Sequence, residues 1–376
     1  MGFLARRQAI VTGQRAVACW AVLGVLLACH AAMIEAAPPA ERDQLLPARD
    51  RLRAEAQELL NRGKGAEAMR AAQDALAISK KLFAANPAET LADWTLIGNV
   101  AEEIDDWQAA IDARNEAVRI CATAAGKDHW VTTDLRVEAE KTARLKELSP
   151  ADRRSLKRAI QDQAGIRQQF EAAHYAEALE IAERCRNVYE RLWGAEHAET
   201  AAAWNDVGTV RQTQGDYAAG ESAFRRALSI REKTLGAGHP LTAASLSNLG
   251  LLFSDQGKYA AAEEVFLRAR QAVENAVGPD DMRSLTVVNN LALVHLKLGE
   301  FARAETSFRH VLKAFERIYG EEHALTADVL NNLASACANQ GKDAEAERLM
   351  RRALAMRRKE CGERHPKTAM SLNNLA

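Results

Sequence analysis

The sequence predicts an all-α fold, a solenoid of antiparallel helix pairs, and three observations carry that prediction. Landmark residues recur 42 positions apart: Thr200, Thr242, Ser284, Thr326 and Thr368 share one register, Val207, Leu249, Leu291, Leu333 and Leu375 a second, and Gly215, Gly257, Gly299 and Gly341 a third. Coincident registers at one fixed period mark a repeat array, in which each unit buries its apolar face only against its neighbours. Between landmarks the apolar residues follow helical spacing. Composition agrees: 48% hydrophobic residues with only 5% aromatics and 8 prolines suit helices packed through small residues.

One unit, Thr242 to Gly278, shows why each helix forms. Leu246, Leu249, Gly250 and Phe253 lie at i, i+3, i+4 and i+7 on one face of a first helix. Gly257 ends it, because glycine takes the left-handed C′ conformation without penalty. Tyr259, Ala262, Phe266 and Ala269 repeat the spacing in a second helix, which Gly278-Pro279 stops. Pro240 suits the first turn of a helix, where its missing N–H costs nothing. Small residues (Gly208, Gly250, Ala292, Ala334 on first helices; Ala262, Ala304, Ala346 on second ones) sit where helices approach, and Trp204, Phe224, Phe266 and Phe308 fill the space between pairs.

This pattern resembles the tetratricopeptide repeat, whose motif of large, small and aromatic positions falls here on Leu246, Leu249, Gly250, Gly257, Tyr259, Ala262, Phe266 and Ala269. The ordinary repeat is about 34 residues long. The longer period, the L-N-N-L-A string and the G-x-x-H-P-x-T loop look like the kinesin-light-chain variety. The resemblance covers roughly residues 43–376. It implies a right-handed superhelical solenoid whose first helices line a concave groove. It implies a protein or peptide ligand there, and it says little about which.

In chain order, residues 1–37 read as a leader outside the fold: Arg6, Arg7 and Arg15 precede an apolar run from Ala16 to Ile34. Three endings stay open. Cleavage near Glu35-Ala36-Ala37 would release an exported protein, periplasmic or secreted. Leu26-Leu27-Ala28-Cys29 resembles a lipoprotein box that would lipidate Cys29. The run 16–34 is also near the ~20 residues that span a bilayer, which would make it an uncleaved membrane tether. Pro38-Pro39 and Pro47 mark a linker. A short N-terminal array, 43–129, follows, with Thr90, Trp94, Gly98, Trp107 and Ala110 at repeat offsets and Asp105 replacing the loop glycine.

The register then slips. Thr132 is 42 residues after Thr90, but Thr200 is 68 after Thr132. Residues 130–172 are read as a charged helical junction, with a capping box at Ser149-Pro150-Ala151-Asp152. The alternative is a degenerate repeat. From 173 to 376 the array is regular and ends part-way through a repeat at Ala376. Two expectations attach to that end: a fragment of a longer chain, or an uncapped face through Leu372 and Leu375 that docks on another chain.

A net charge of −1 without a basic stripe argues against nucleic acid. The clusters Arg351-Arg352 and Arg357-Arg358-Lys359 are read as solvated faces. Cys121, Cys185, Cys337 and Cys361 form no C-x-x-C pair; only Cys337 and Cys361, on adjacent helices, could meet, and buried thiols are the expectation. His129, His197, His239, His323 and His365 recur in the inter-repeat loops, roughly 10 Å or more apart given helix packing distances. Metal ligands must converge, so these histidines are expected to shape turns, and no metal or cofactor is expected. No nucleophile elbow, phosphate loop or H-E-x-x-H is present, so no enzyme is expected.

Asparagine is the polar signal. Asn205, Asn289, Asn331 and Asn373 occupy one first-helix position, with Ser247 between, and Asp206, Asn248, Asn290, Asn332 and Asn374 the next. Asparagine is a mediocre helix former, so its repetition needs a reason. Its amide can grip the main chain of an extended peptide, or it can bridge neighbouring repeats. One turn on stand Thr209, Leu251, Leu293 and Ser335, then Thr213, Asp255, Lys297 and Asn339. The expected groove is therefore Asn205, Asp206, Asn248, Leu251, Asn289, Asn290, Leu293, Lys297, Asn331, Asn332 and Ser335. With Lys297 its one basic residue, it lacks the clamp that relatives use for a C-terminal carboxylate. The function expected is a non-catalytic scaffold holding an extended segment. The alternatives are self-association through the C-terminal face, or the sensor portion of a larger signalling protein.

Overall fold

The computed structural model describes residues 38–84, 86–363 and 365–375, and among these it holds sixteen α-helices and no strand. The leader expectations therefore lie outside the described residues. The chain divides into two compact units. One takes residues up to 161 together with 188–195, the other 162–187 together with 196–375.

The N-terminal unit is built from α1 (Pro39–Asn61), α2 (Gly65–Leu82), α3 (Leu91–Glu103), α4 (Trp107–Ala125) and α5 (Trp130–Glu147). Residues 38–47 are not the linker expected: α1 starts at Pro39, whose absent N–H costs nothing in a first turn, and runs on through Pro47. Leu52 and Leu59 anchor α1 on a core of Ala56, Ala71, Ala72, Leu76, Ile97 and Ala113, and that packing outweighs the one helical bond that Pro47 cannot make. The next helices, α6 (Pro150–Glu171) and α7 (Tyr175–Trp193), pass through the point of division. Ser149 caps α6, its Oγ accepting from the Asp152 N–H at 3.1 Å.

The C-terminal unit continues with α8 (Ala198–Thr213), α9 (Tyr217–Thr234), α10 (Pro240–Asp255), α11 (Tyr259–Val277), α12 (Met282–Lys297), α13 (Phe301–Tyr319), α14 (Ala324–Ala338), α15 (Asp343–Cys361) and α16 (Pro366–Leu375). Consecutive helices pack in pairs, and each pair packs on the next. Phe224, Phe266 and Phe308 are fully buried. Each such ring is worth about 3 kcal/mol of burial. A Cβ added at Gly208 would stand 2.6 Å from the Phe224 ring, and one at Gly250 would stand 2.8 Å from Phe266. That contact distance is why the register accepts only small residues.

Two kinds of local bond close most of the loops. Within a repeat, the 257 position takes φ +73° and the Lys258 N–H donates to the Phe253 carbonyl at 2.9 Å. This six-to-one bond is a Schellman stop. Asp105 (φ 59°) and Ala173 (φ 60°) occupy the same left-handed position without being glycine. Between repeats, the hydroxyl at the first register reaches back to a glycine carbonyl in four loops: Thr132 to Gly126 at 2.8 Å, Thr242 to Gly236 at 2.8 Å, Ser284 to Gly278 at 2.6 Å and Thr368 to Gly362 at 2.8 Å, while the Thr326 hydroxyl has no partner among the described residues. Thr132 makes this bond too, so α5 enters as an ordinary first helix despite its charge.

The loop histidines do shape turns, as N-caps. The Nδ1 atoms of His129, His197, His239 and His323 accept from backbone N–H groups two residues on, at 3.3, 3.2, 3.2 and 3.2 Å, and Asp281 does the same job at 2.9 Å. Cys121, Cys185 and Cys337 are buried and Cys361 is half-buried. One basic cluster needs correcting. Arg357 is fully buried, paired with Asp328, while Arg358 and Lys359 are exposed. Helix periodicity turns one of three consecutive cations inward, and an acidic partner waits there.

Candidate functional site

Within the C-terminal unit, successive first helices approach one another directly: α8 meets α10, α10 meets α12 and α12 meets α14. Successive second helices do not come as close. A stack narrower along one edge curves toward that edge, so the first helices line its inner face. On them, residues four apart share a stripe: Asn205, Thr209 and Thr213; Ser247, Leu251 and Asp255; Asn289, Leu293 and Lys297; Asn331, Ser335 and Asn339.

The structure sorts the expected groove residues into ties and surface. Asn205 is buried and donates to Ser245 Oγ at 3.1 Å, while its Oδ1 accepts from Asn248 Nδ2 at 3.3 Å, so these three join α8 to α10. A second rung two turns on runs from Gln212 to Asp255 at 2.6 Å. Asn331 is buried and donates to Ser371 Oγ at 3.3 Å, and Asn290 is buried. Asp206 is half-buried and accepts from Gln163 Nε2 at 2.6 Å. Desolvation lifts its carboxyl to about 6, although that bond and Arg231 pull the other way. Burial, with Asp162 and Asp206 nearby, pushes the Cys185 thiol up to about 12, so it is inert as a nucleophile.

What remains for a ligand is narrower than the sequence suggests. Asn289, Asn332 and Ser335 are half-buried, Leu251 and Leu293 are partly buried against the cores beneath, and Lys297 is exposed. The Asn289 Oδ1 is a buried acceptor with no partner among the described residues. Asn289, Leu293 and Lys297 thus form one stripe on α12: an unmet acceptor, an apolar step and a cation.

The outer side carries different chemistry. An open groove of about 480 Å³ runs between α9 and α11, with Arg225, Glu232, Glu264 and Arg268 around Leu228 and Val265. Residues that sequence reasoning passed over lie inside the α11–α13 and α13–α15 junctions, where Glu263, His295 and Glu300 converge, as do Glu305, Cys337 and Glu345. Their signal was present, since Glu263 and Glu305 are one period apart, as are His295 and Cys337. No described helix is long and apolar enough to cross a membrane.

Paired helices stacked on a curved inner row define an α-solenoid of the protein-interaction class. Residues 199–275, 283–359 and 330–376 match the tetratricopeptide repeat model, and over that stretch the chain is a tetratricopeptide repeat protein. Several solved structures align with parts of the chain. A Podosopora anserina protein described as a kinesin light chain with nearly identical TPR-like repeats aligns at 19% identity over 54% of this chain and 96% of that one, with a TM-score of 0.48. BtubC (BKLC) from P. vanneervenii aligns at 27% identity over 56% and 81%, TM-score 0.46. A tetratricopeptide repeat protein from Parabacteroides merdae aligns at 16% over 88% and 98%, TM-score 0.38. No curated protein matches the chain. Repeats of this family are, as a rule, non-catalytic interaction scaffolds.

Proposed function

We propose that the inner face of the C-terminal unit holds an extended protein segment, with α12 as the centre of the contact. The unmet Oδ1 of Asn289 supports this reading most directly. A buried acceptor without a donor costs about 1–3 kcal/mol, and a turn of the half-buried Asn289 amide toward the groove would bring its Oδ1 to a peptide N–H laid there. Leu251 and Leu293 offer shallow apolar steps on either side, and Lys297 would favour an acidic side chain or a neutral one over a basic one. Many weak contacts along the stack would carry the affinity.

A peptide library displayed against the full chain tests the reading. Extended segments with apolar and acidic residues are expected to be selected. Asn289→Ala with Lys297→Glu is expected to weaken them at least about tenfold, the loss of one charge-assisted and one neutral hydrogen bond, with helical circular dichroism unchanged. Selected segments that bind the double variant as well as the parent would end the proposal. For residues 1–37 the proposal remains export, periplasmic or secreted, with either a tether through 16–34 or a lipid on Cys29. Fractionation of the parent beside Cys29→Ser separates these.

A further inference from the structure

Three successive second helices carry a glutamate at one register position: Glu221, Glu263 and Glu305. The next first helix faces that position with Phe253, His295 and Cys337, and the loop after it with Lys258, Glu300 and Lys342. The last of these sites is complete. Lys342 Nζ donates to Glu305 at 2.6 Å, Gln340 donates at 2.7 Å and Arg309 at 2.7 Å, and these donors hold the carboxyl down to about 2. The middle site differs in two residues at once. A histidine stands where its neighbours have an aromatic ring and a thiol, and a second carboxylate stands where both neighbours have a lysine.

The geometry of that middle site converges. The His295 side chain is 4% exposed, and its Nε2 lies 3.3 Å from Glu263 Oε1 and 3.9 Å from Glu300 Oε2. The three donor atoms lie within 4.8 Å of one another. His295 Nδ1 is buried without a partner among the described residues. The ring's own hydrogen bonds therefore do not repay its burial, and Phe253 and Cys337 demonstrate that the slot accepts groups that need none. The cation now between the carboxylates is Arg303, which donates to Glu263 Oε1 at 3.1 Å and pairs with Glu300. Its side chain is 55% exposed, so it can swing out to solvent.

We propose that Glu263, His295 and Glu300 form a binding site for a divalent transition metal of the zinc class, which enters by displacing Arg303. One imidazole nitrogen and two carboxylate oxygens are a donor set such ions take. Burial and the Arg303 charge lower the His295 pKa, which keeps the ring in the neutral form that ligates. Glu263 comes from α11, His295 from α12 and Glu300 from the N-cap of α13. A bound ion would therefore clamp one repeat to both helices of the next, directly beneath the α12 stripe. At the neighbouring Glu305, Cys337 and Glu345 an ion would have to displace two cations, Lys342 and Arg309, rather than one, so that site is the weaker candidate.

The test is a Zn²⁺ titration by calorimetry on the chelator-treated full chain, with Co²⁺ absorption as a second readout. The variants are His295→Phe and Glu300→Lys, residues that the adjacent repeats carry at those positions, so folding is expected to survive and circular dichroism checks it. The parent is expected to bind one ion per chain with a micromolar or tighter Kd and to give visible Co²⁺ bands. Each variant is expected to weaken binding about tenfold or more, and Arg303→Ala to strengthen it by removing the competing cation. Binding no tighter than millimolar in the parent overturns the proposal, and so does equal affinity in either variant.

Discussion

The same slot between helices is filled in opposite ways in the two units. In the C-terminal unit, Gly208 and Gly250 receive the rings of Phe224 and Phe266. In the N-terminal unit the corresponding pair is Gly98 and Arg114, and a Cβ at Gly98 would stand 3.1 Å from the Arg114 guanidinium. Arg114 is 4% exposed. It donates to Asn99 at 2.7 Å and Glu102 at 3.1 Å, and Thr142 donates to Glu102 at 2.5 Å. One unit holds its helix pair by apolar volume, the other by a satisfied charge network. A repeat scaffold needs the space filled and every polar group paired; it does not need any one chemistry to do it.

Five variants would break or sharpen that contrast, each read by hydrogen exchange at the helices concerned, since a repeat array need not unfold as one unit. Phe266→Ala should be the most damaging, opening a cavity in a fully buried site at about 3–5 kcal/mol of local stability. Arg114→Ala should cost about 2 kcal/mol by leaving Glu102 uncompensated, while Arg114→Met combined with Glu102→Met should fall within about 1 kcal/mol of the parent. If the double variant is as damaged as the single, charge and not filled space is what that slot requires. Gly250→Ala should cost about 1–3 kcal/mol by overpacking against Phe266. Ala173→Gly should do the reverse of the others and stabilise by up to about 1 kcal/mol, because it removes a left-handed L-residue. No change there would mean that the loop has relaxed around alanine.

Acid provides a further contrast between groups. His129 and His295 both have lowered pKa values, chiefly from burial. Folding therefore favours their neutral forms. Their contribution is complete above about pH 6.5, the unfolded value, and is lost as pH falls from there through the folded values. His295→Phe should flatten that part of the stability profile around α12, and an unchanged profile would place the titration elsewhere.

The helix pairs, the glycine stops and the small-residue positions were legible because each rests on a local rule repeated at one period. Asp105 was legible as a glycine stand-in for the same reason. Arg114 was not. Its register follows from Gly98 and Ala110, but an arginine in an amphipathic helix looks like a solvated one, as Arg357 does. The asparagine ladder was visible as a pattern, but its division was not, because Asn205 and Asn331 are drawn inward by serines 40 residues further on, at Ser245 and Ser371. His295 was not legible as a ligand because it lies within α12, outside the loop register at which five histidines recur.

The hydroxyl that closes the inter-repeat loops at Thr132, Thr242, Ser284 and Thr368 bonds within its own six-residue span and asks nothing of the rest of the protein. These four junctions are thus standard couplings. A gene segment encoding one period, copied or excised in frame, would bring its own coupling with it and meet the same fitting on the other side. Inheritance could adjust the reach of this scaffold by whole repeats, with the inner row lengthening or shortening while each surviving joint keeps the contacts it has now.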